Sequence, residues 1–114
     1  MDLVCDRLGD LMAVRVPLPR IDAACAIQFK DRMREIGKDA PGRVVLDLEQ
    51  VEFIDSSGLG AIVAVMKQLG SATTLELAAL SPTVEKVFRL TRMDTVFAIH
   101  GTVAEAMKSE RRAG

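Results

Sequence analysis

Asp55, Ser56, Ser57 and Gly58 form the stretch of this sequence with the most chemical potential, because a carboxylate stands directly before two hydroxyls. Such serines can be helix caps, nucleophiles of an enzyme or phosphate acceptors of a regulated switch. The stretch separates an apolar run with the period of a strand from one with the period of a helix. We therefore expect it to lie where a helix begins, and the rest of the chain must decide among the three roles.

A catalytic serine is disfavoured by the residues around it. A nucleophile elbow requires a glycine two residues before the serine, and neither Ser56 nor Ser57 has one. The single histidine, His100, lies far along the chain near the last predicted helix, where it is more typical of a structural or exposed residue than of a general base. We therefore expect no hydrolase activity at these serines.

Phosphate- and metal-binding patterns are also incomplete. Gly58 and Gly60 give a GxG pair, but Val63 stands where the dinucleotide fingerprint requires glycine or alanine, and no Gly-Lys-Ser/Thr occurs. The acidic residues of this region have neither a histidine partner nor metal-ligand spacing; they are Asp47, Glu49, Glu52 and Asp55. A small nucleotide-binding or hydrolytic domain is disfavoured, and no cofactor or metal is expected.

The composition predicts a globular domain without a nucleic-acid partner. The 114 residues include 15 basic and 16 acidic ones, four Phe and no Trp or Tyr, so both a basic surface and stacking platforms are lacking. No apolar run approaches the ~18 residues of a membrane helix, and the N-terminus does not resemble a secretory signal. Cys5 and Cys25 form neither a disulfide framework nor a zinc pattern. We expect a cytoplasmic protein without direct membrane insertion.

The first half of the chain predicts a hairpin, a helix and a buried strand. Two short strands are expected around Gly9-Asp10. Asp22 is predicted to cap a helix that ends at Gly37, and the apolar positions of this helix step by three and four; they are Ala26, Phe29, Met33 and Ile36. The run "RVVLDL", residues 43–48, has the density of a strand buried on both faces of a parallel sheet.

The second half alternates helices and strands. After the stretch at 55–58, a helix is predicted to end at Gly70, with one apolar face made by Leu59, Ile62, Val63, Met66 and Leu69. A strand at "TTLELAAL", residues 73–80, is followed by a helix that begins at Ser81-Pro82. A short strand is expected at 96–99, and a last helix opens at Thr102 with Glu105 completing a capping box.

This order, β-β-α-β-α-β-α-β-α, predicts the α/β class. Strands that alternate with helices pair in parallel, and the leading hairpin adds an antiparallel part. We expect one mixed sheet of four to five strands packed with about four helices. The expected domain spans residues 3–108, and residues 109–114 form a polar tail.

A helix cap alone does not explain the glycines beside the serines. Asp55 or Ser56 is a suitable cap, and Gly58 permits a tight entry into the helix. However, Gly58 and Gly60 each lower helix propensity by ~1 kcal/mol relative to alanine. We therefore expect a close approach of main chain at this point, made either by packing or by a docked partner.

The segment "VVLDLEQVEFIDSSGLGAIVAVMKQL", residues 44–69, closely resembles the signature of STAS domains, specifically of anti-sigma-factor antagonists in bacterial partner switching. The pattern is an apolar strand that ends in Leu-Asp-Leu, a short loop, and Asp-Ser-Ser-Gly-Leu-Gly opening a helix. Residues 20–26, "RIDAACA", and residues 77–107 are similar to other parts of the family. The resemblance implies a single STAS domain over residues 3–108.

The resemblance implies a protein that is a substrate and a ligand rather than an enzyme. In the family the serine directly after the aspartate, here Ser56, is phosphorylated by an anti-sigma factor that is a histidine-kinase-like serine kinase, and a serine phosphatase reverses the reaction. The unphosphorylated form binds the anti-sigma factor, and small antagonists of this type are monomers or weak dimers. The residues implied in partner binding are Asp22, Asp55, Ser56, Ser57, Gly58 and Leu59.

One departure from the family concerns the turn before the first helix. The family commonly has Gly-Glu-Leu-Asp there, and this sequence has Pro19-Arg20-Ile21-Asp22, so an acid is replaced by a base. The change predicts a partner with reversed local charge. The alternative within the same fold is a STAS subunit of an ABC lipid-transport complex that is not regulated by phosphorylation.

Overall fold

The computed structural model describes residues 1–109, and the elements below are those of this part of the chain. The strands are β1 (Val4–Leu8), β2 (Leu11–Arg15), β3 (Arg20–Ile21), β4 (Arg43–Asp47), β5 (Phe53–Ile54), β6 (Thr74–Ala78) and β7 (Ile99–His100). The helices are α1 (Ala26–Gly37), α2 (Ser56–Leu69), α3 (Pro82–Leu90) and α4 (Val103–Lys108), with a 3-10 turn at Met93–Thr95.

The main sheet has five strands in the order β1-β2-β4-β6-β7. β1 and β2 form an antiparallel hairpin, in which Gly9 adopts the positive φ of +66° that its turn requires. The pairs β2–β4, β4–β6 and β6–β7 are parallel. The predicted α/β class, the mixed five-stranded sheet and the four helices are therefore confirmed.

The two faces of β4 explain its dense apolar run. Val44 and Leu46 belong to the large core cluster, which also contains buried side chains of α1, α2 and α3. Val45 points to the other face, where it packs with Ala106 of α4 in a smaller cluster. Because both faces of β4 are covered by helices, every position from Arg43 to Leu46 is buried, as the sequence predicts.

Several predicted helix ends are confirmed by their caps. The Ser81 hydroxyl accepts a hydrogen bond from the Val84 N–H at 3.3 Å, and Pro82 follows it at the first helical position. The Thr102 hydroxyl accepts from the Glu105 N–H at 3.0 Å. Gly70 ends α2 with a φ of +73°. The local sequence therefore determines these three boundaries.

The predicted role of Asp22 as the cap of α1 is wrong. Its carboxylate accepts a hydrogen bond from the Ala24 N–H at 3.1 Å and thereby closes a turn, and α1 begins only at Ala26. Gly37 is likewise the last residue of α1 rather than the residue after it. A Cβ at Gly37 would lie 2.9 Å from Leu69 of α2, so this glycine serves the packing of the two helices.

Three further predictions need correction or fall outside the described residues. The strand predicted at 96–99 is reduced to Ile99–His100, because the N–H groups of Val96 and Phe97 bond to the Met93 carbonyl in the 3-10 turn. The fully buried positions of α2 are Gly58, Ala61, Ile62 and Val65, and most of the predicted stripe is only partly buried beside them. Of the predicted tail at 109–114, residues 110–114 lie outside the described residues.

A buried ionic network fastens α4 to the sheet. The Arg43 guanidinium donates to both carboxylate oxygens of Glu76, at 2.9 and 2.7 Å, and to the carbonyls of Ala106 and Ser109. His100 Nε2 lies 2.8 Å from Glu76 Oε1. Burial favours the neutral form of Glu76, but the bonds from Arg43, His100 and Thr74 outweigh it and lower its pKa to about 2.

Candidate functional site

Asp55 caps α2 and also joins two loops. Its backbone is extended, with φ −95° and ψ −176°, and its Oδ1 accepts a hydrogen bond from the Gly58 N–H at 2.8 Å. Its Oδ2 accepts a second bond, from the Ala23 N–H at 3.2 Å, in the turn before α1. The cap is therefore Asp55, and the hydroxyl of Ser56 is not needed for it.

Ser56 and Ser57 are the first two residues of α2, and both are exposed. Free backbone N–H groups and the positive end of the helix dipole lie at this position, so negative charge is favoured here. A phosphoryl group on either hydroxyl would therefore be compatible with the folded helix. The two hydroxyls that the sequence singles out are accessible in the structure.

The two glycines of the stretch have different causes. A Cβ on Gly58 would collide with the Ile21 carbonyl oxygen, so α2 begins in direct contact with the main chain of β3. A Cβ on Gly60 would meet no atom within 4 Å, and Gly60 is exposed. The close approach that the sequence predicts is therefore internal packing at Gly58, whereas nothing in the described residues requires glycine at position 60.

A second, two-stranded sheet brings the separate parts of the site together. β3 and β5 pair in parallel, with Arg20 opposite Phe53 and Ile21 opposite Ile54. The Asp55 N–H continues the pairing with a 3.4 Å bond to the Ile21 carbonyl. The sequence gives no warning of these strands, because each has only two residues. Their pairing places Asp22 beside the start of α2, where Ser56 and Gly58 lie.

The predicted partner-binding residues differ in exposure. The serines are exposed, Asp22 and Asp55 are partly exposed, and Gly58 is buried under the Ile21 main chain. Leu59 is partly buried and packs against the core. The structure therefore brings all the predicted residues to one end of α2, with the serine and aspartate side chains forming its accessible part.

Arg20 and Phe53 extend this surface and are absent from the predicted set. The Arg20 guanidinium carbon lies 4.4 Å from the centre of the Phe53 ring, and Arg20 Nε donates to Asp22 Oδ2 at 3.1 Å. The hydrogen bond from Arg20 lowers the pKa of Asp22 below its usual range. Phe53 is 38% exposed, although a large apolar residue of a strand is usually buried. The pairing of β3 with β5 places its ring under the Arg20 guanidinium.

The histidine and the acidic residues are the side chains of this sequence that enzymatic or metal chemistry would use. His100, the one candidate base, is partly buried and bonded to Glu76 in the network that fastens α4. Within residues 1–109, no group of three His, Cys, Asp or Glu side chains could hold a metal ion. No helix in that same part of the chain has both the length and the apolar character required to cross a membrane.

Comparison with known protein families identifies the family to which this fold belongs. The STAS domain model matches residues 4–106, and the chain belongs to the STAS domain family. The structure of an anti-sigma factor antagonist from Mycobacterium paratuberculosis superposes with a TM-score of 0.83, at 26% identity, and the match covers 94% of this chain and 91% of that one. The predicted resemblance is therefore confirmed.

Named relatives are also anti-sigma factor antagonists. A Thermotoga maritima protein that bears this name provisionally is 40% identical over 72 residues, which are 61% of this chain and 63% of that protein's length. The anti-sigma-F factor antagonist RsfB of Mycobacterium tuberculosis is 26% identical over 91 residues, which are 80% of this chain and 75% of that protein. Sequence and fold thus agree on the same class of regulatory protein.

Proposed function

We propose that this protein is an anti-sigma factor antagonist that binds a histidine-kinase-like anti-sigma factor in its unphosphorylated form and is released when Ser56 is phosphorylated. The observation that carries the proposal is that two neighbouring residues at the start of α2 have different roles. Asp55 supplies the cap, so the exposed Ser56 hydroxyl beside it is free for modification. The names of the relatives support the class of partner.

The electrostatics of a helix start explain how such a switch can act without unfolding the domain. A phosphate adds about −1.5 to −2 charge at neutral pH. The free N–H groups and the dipole of α2 stabilise that charge within the protein. A partner arranged for a neutral hydroxyl would instead bury a dianion next to Asp55, and each ~1.4 kcal/mol of lost complementarity weakens binding tenfold. We therefore expect a large change in affinity with little change in fold.

The proposal includes the surroundings of the switch. The partner surface comprises the side chains of Asp22, Asp55, Ser56 and Ser57. Gly58 and Leu59, which are buried or partly buried, support it through their packing. A serine phosphatase would restore the form that binds the partner, and this cycle would take place in the cytoplasm. The protein would act in it as a monomer or a weak dimer. In this role the protein is a substrate of an enzyme and not an enzyme itself.

The test uses three variants as baits in a lysate of the protein's own cells. Ser56→Ala keeps the site neutral and is expected to retain an ATPase of the histidine-kinase type, whereas Ser56→Asp is expected to retain at least tenfold less. Ser57→Ala is the matched control, because it removes a neighbouring exposed hydroxyl. Recovery of transporter subunits by all three baits would contradict the proposal and indicate a structural STAS subunit of an ABC lipid-transport complex.

A further inference from the structure

Arg20 is the cation that the described contacts connect to the start of α2. Its side chain is 58% exposed and lies along the exposed face of β3, over the Phe53 ring. Only Nε is engaged among the described residues, by the Asp22 carboxylate at 3.1 Å. The two terminal nitrogens, which provide most of the guanidinium donors, have no protein partner in residues 1–109 and remain available for an anion.

The Arg20 side chain extends along β3 towards the turn that contacts the start of α2. Arg20 pairs with Phe53, yet its guanidinium reaches forward to Asp22, two residues further along. At that level the Ala23 N–H bonds to the Asp55 carboxylate, and Asp55 directly precedes Ser56. The ion pair of Arg20 with Asp22 and the bond from Ala23 to Asp55 therefore connect the guanidinium to the residue that directly precedes Ser56. A long, exposed arginine side chain can change rotamers to bind an anion at this end of α2.

We propose that Arg20 binds the phosphate of phosphorylated Ser56 and leaves Asp22 when it does so. The inference rests on the proposed phosphorylation of Ser56 and adds a receiver for the phosphate within the same chain. An exposed ion pair such as Arg20–Asp22 contributes little to stability, because solvent screens it. A phosphate dianion accepts two parallel N–H bonds from one guanidinium, so it is the stronger partner for Arg20.

This exchange changes more of the surface than the addition of a phosphate alone. Asp22 loses its cation and becomes an uncompensated carboxylate beside Asp55, while the Phe53 ring loses the guanidinium stacked on it. A partner would therefore meet a rearranged surface at β3 and β5 as well as a new charge at α2. Residues of two loops would thus respond to phosphorylation, and these loops are joined by the β3–β5 pairing and by the Asp55 carboxylate.

The experiment measures the phosphate of the isolated protein and needs no partner. Phosphoserine is installed at position 56 during synthesis, and its second ionisation is followed by 31P NMR from pH 4 to 8. This ionisation normally has a pKa of about 6. A nearby guanidinium favours the dianion, so we expect the phosphate pKa to be about 0.5 lower with Arg20 present than in Arg20→Gln.

Matched variants separate Arg20 from the general charge of the protein. Arg7→Gln removes an exposed arginine on β1, opposite Met12, and is expected to leave the phosphate pKa unchanged. Arg20→Lys keeps the charge without the planar fork and is expected to restore part of the effect. Equal phosphate pKa values in the parent, Arg20→Gln and Arg7→Gln proteins would overturn the inference.

The outcome is independent of whether phosphorylation releases a partner. If the phosphate pKa responds to Arg20 but binding to the partner does not depend on residue 56, Arg20 binds the phosphate and the proposed function fails. If phosphorylation abolishes binding while Arg20→Gln leaves the phosphate pKa unchanged, the proposed function holds and the inferred contact between Arg20 and the phosphate is wrong. The two proposals therefore fail by different measurements.

Discussion

Two polar clusters of this protein use similar side chains in opposite ways. Arg43 and His100 are both bonded to Glu76 with little exposure to water, and Arg43 also binds the carbonyls at the end of α4. Arg20 and Asp22 form an ion pair of comparable chemistry on an exposed surface beside α2. Arg43 donates from all three of its nitrogens to Glu76 and to α4, whereas the terminal nitrogens of Arg20 have no partner within residues 1–109.

The difference teaches that burial decides what a charge pair can do. A buried pair is held by several bonds, and breaking it leaves a charge in an apolar environment, so its loss destabilises the protein. An exposed pair is screened by water and can be exchanged for another partner at little cost. We therefore expect substitutions at the Arg43 network to change stability, and substitutions at the Arg20 surface to change binding.

The largest effect is expected from Arg43→Met. The substitution leaves Glu76 buried without its main partner and removes the donor to the Ala106 carbonyl, so the free energy of unfolding should fall by about 3–5 kcal/mol. Urea unfolding followed by circular dichroism measures it. The matched variant Arg20→Met should cost less than about 0.5 kcal/mol. Similar losses in both variants would break the comparison.

Gly58→Ala tests whether close packing between α2 and β3 supports the exposed site. The added methyl group would collide with the Ile21 carbonyl, so we expect a loss of about 3 kcal/mol. Gly60→Ala is the matched control, because its Cβ meets no neighbour, and it should stabilise α2 by up to about 1 kcal/mol. The same urea titration measures both, and equal effects would contradict the described contact.

Acid should weaken the buried cluster in a specific pH window. The pKa of Glu76 is about 2 in the folded protein against 4.5 for a free side chain, so ionised Glu76 contributes fully above about pH 5. That contribution, up to about 3 kcal/mol, is lost as the pH falls from 4.5 towards 2. The stability advantage over Glu76→Gln should therefore shrink between pH 5 and pH 3, and a constant difference would argue against the depressed pKa.

The smallest effects distinguish Asp55, which caps α2, from Ser56, the proposed phosphorylation site. Asp55→Ala removes two backbone bonds, to Gly58 and to Ala23, and should lower the free energy of unfolding by about 1–2 kcal/mol. Ser56→Ala removes an exposed hydroxyl and should change it by less than about 0.5 kcal/mol. Thermal unfolding of the two variants compares them directly. A larger loss for Ser56→Ala would return the capping role to the serine.

Local chemistry made much of the fold predictable. The turn at Gly9, the end of α2 at Gly70 and the start of α3 at Ser81 each depend on one residue and its immediate neighbours. The apolar density of β4 correctly indicated a strand covered on both faces. These features depend on contacts or patterns within a few residues, which a sequence displays directly.

What sequence reasoning missed depends on contacts between distant segments. Asp22 resembled a helix cap, but its place is set by Arg20 and by the turn that Asp55 holds from 32 residues away. The exposed position of Phe53 and the contact of Gly37 with Leu69 had no signal in the sequence, because both depend on a segment far along the chain. The role proposed for residues 55–58 was inferred from a resemblance to a family, because the residue types alone also fit an ordinary cap.

The two-residue strand β3 has a consequence for how such proteins diversify. Its inner residue, Ile21, is buried and touches Gly58 through its carbonyl, so this position is fixed by the scaffold. Its outer residue, Arg20, faces solvent, and the pairing that holds it uses main chain only. Arg20 and Phe53 can therefore change together without refolding the domain. The exposed side of this small sheet can thus vary while its buried side stays constant.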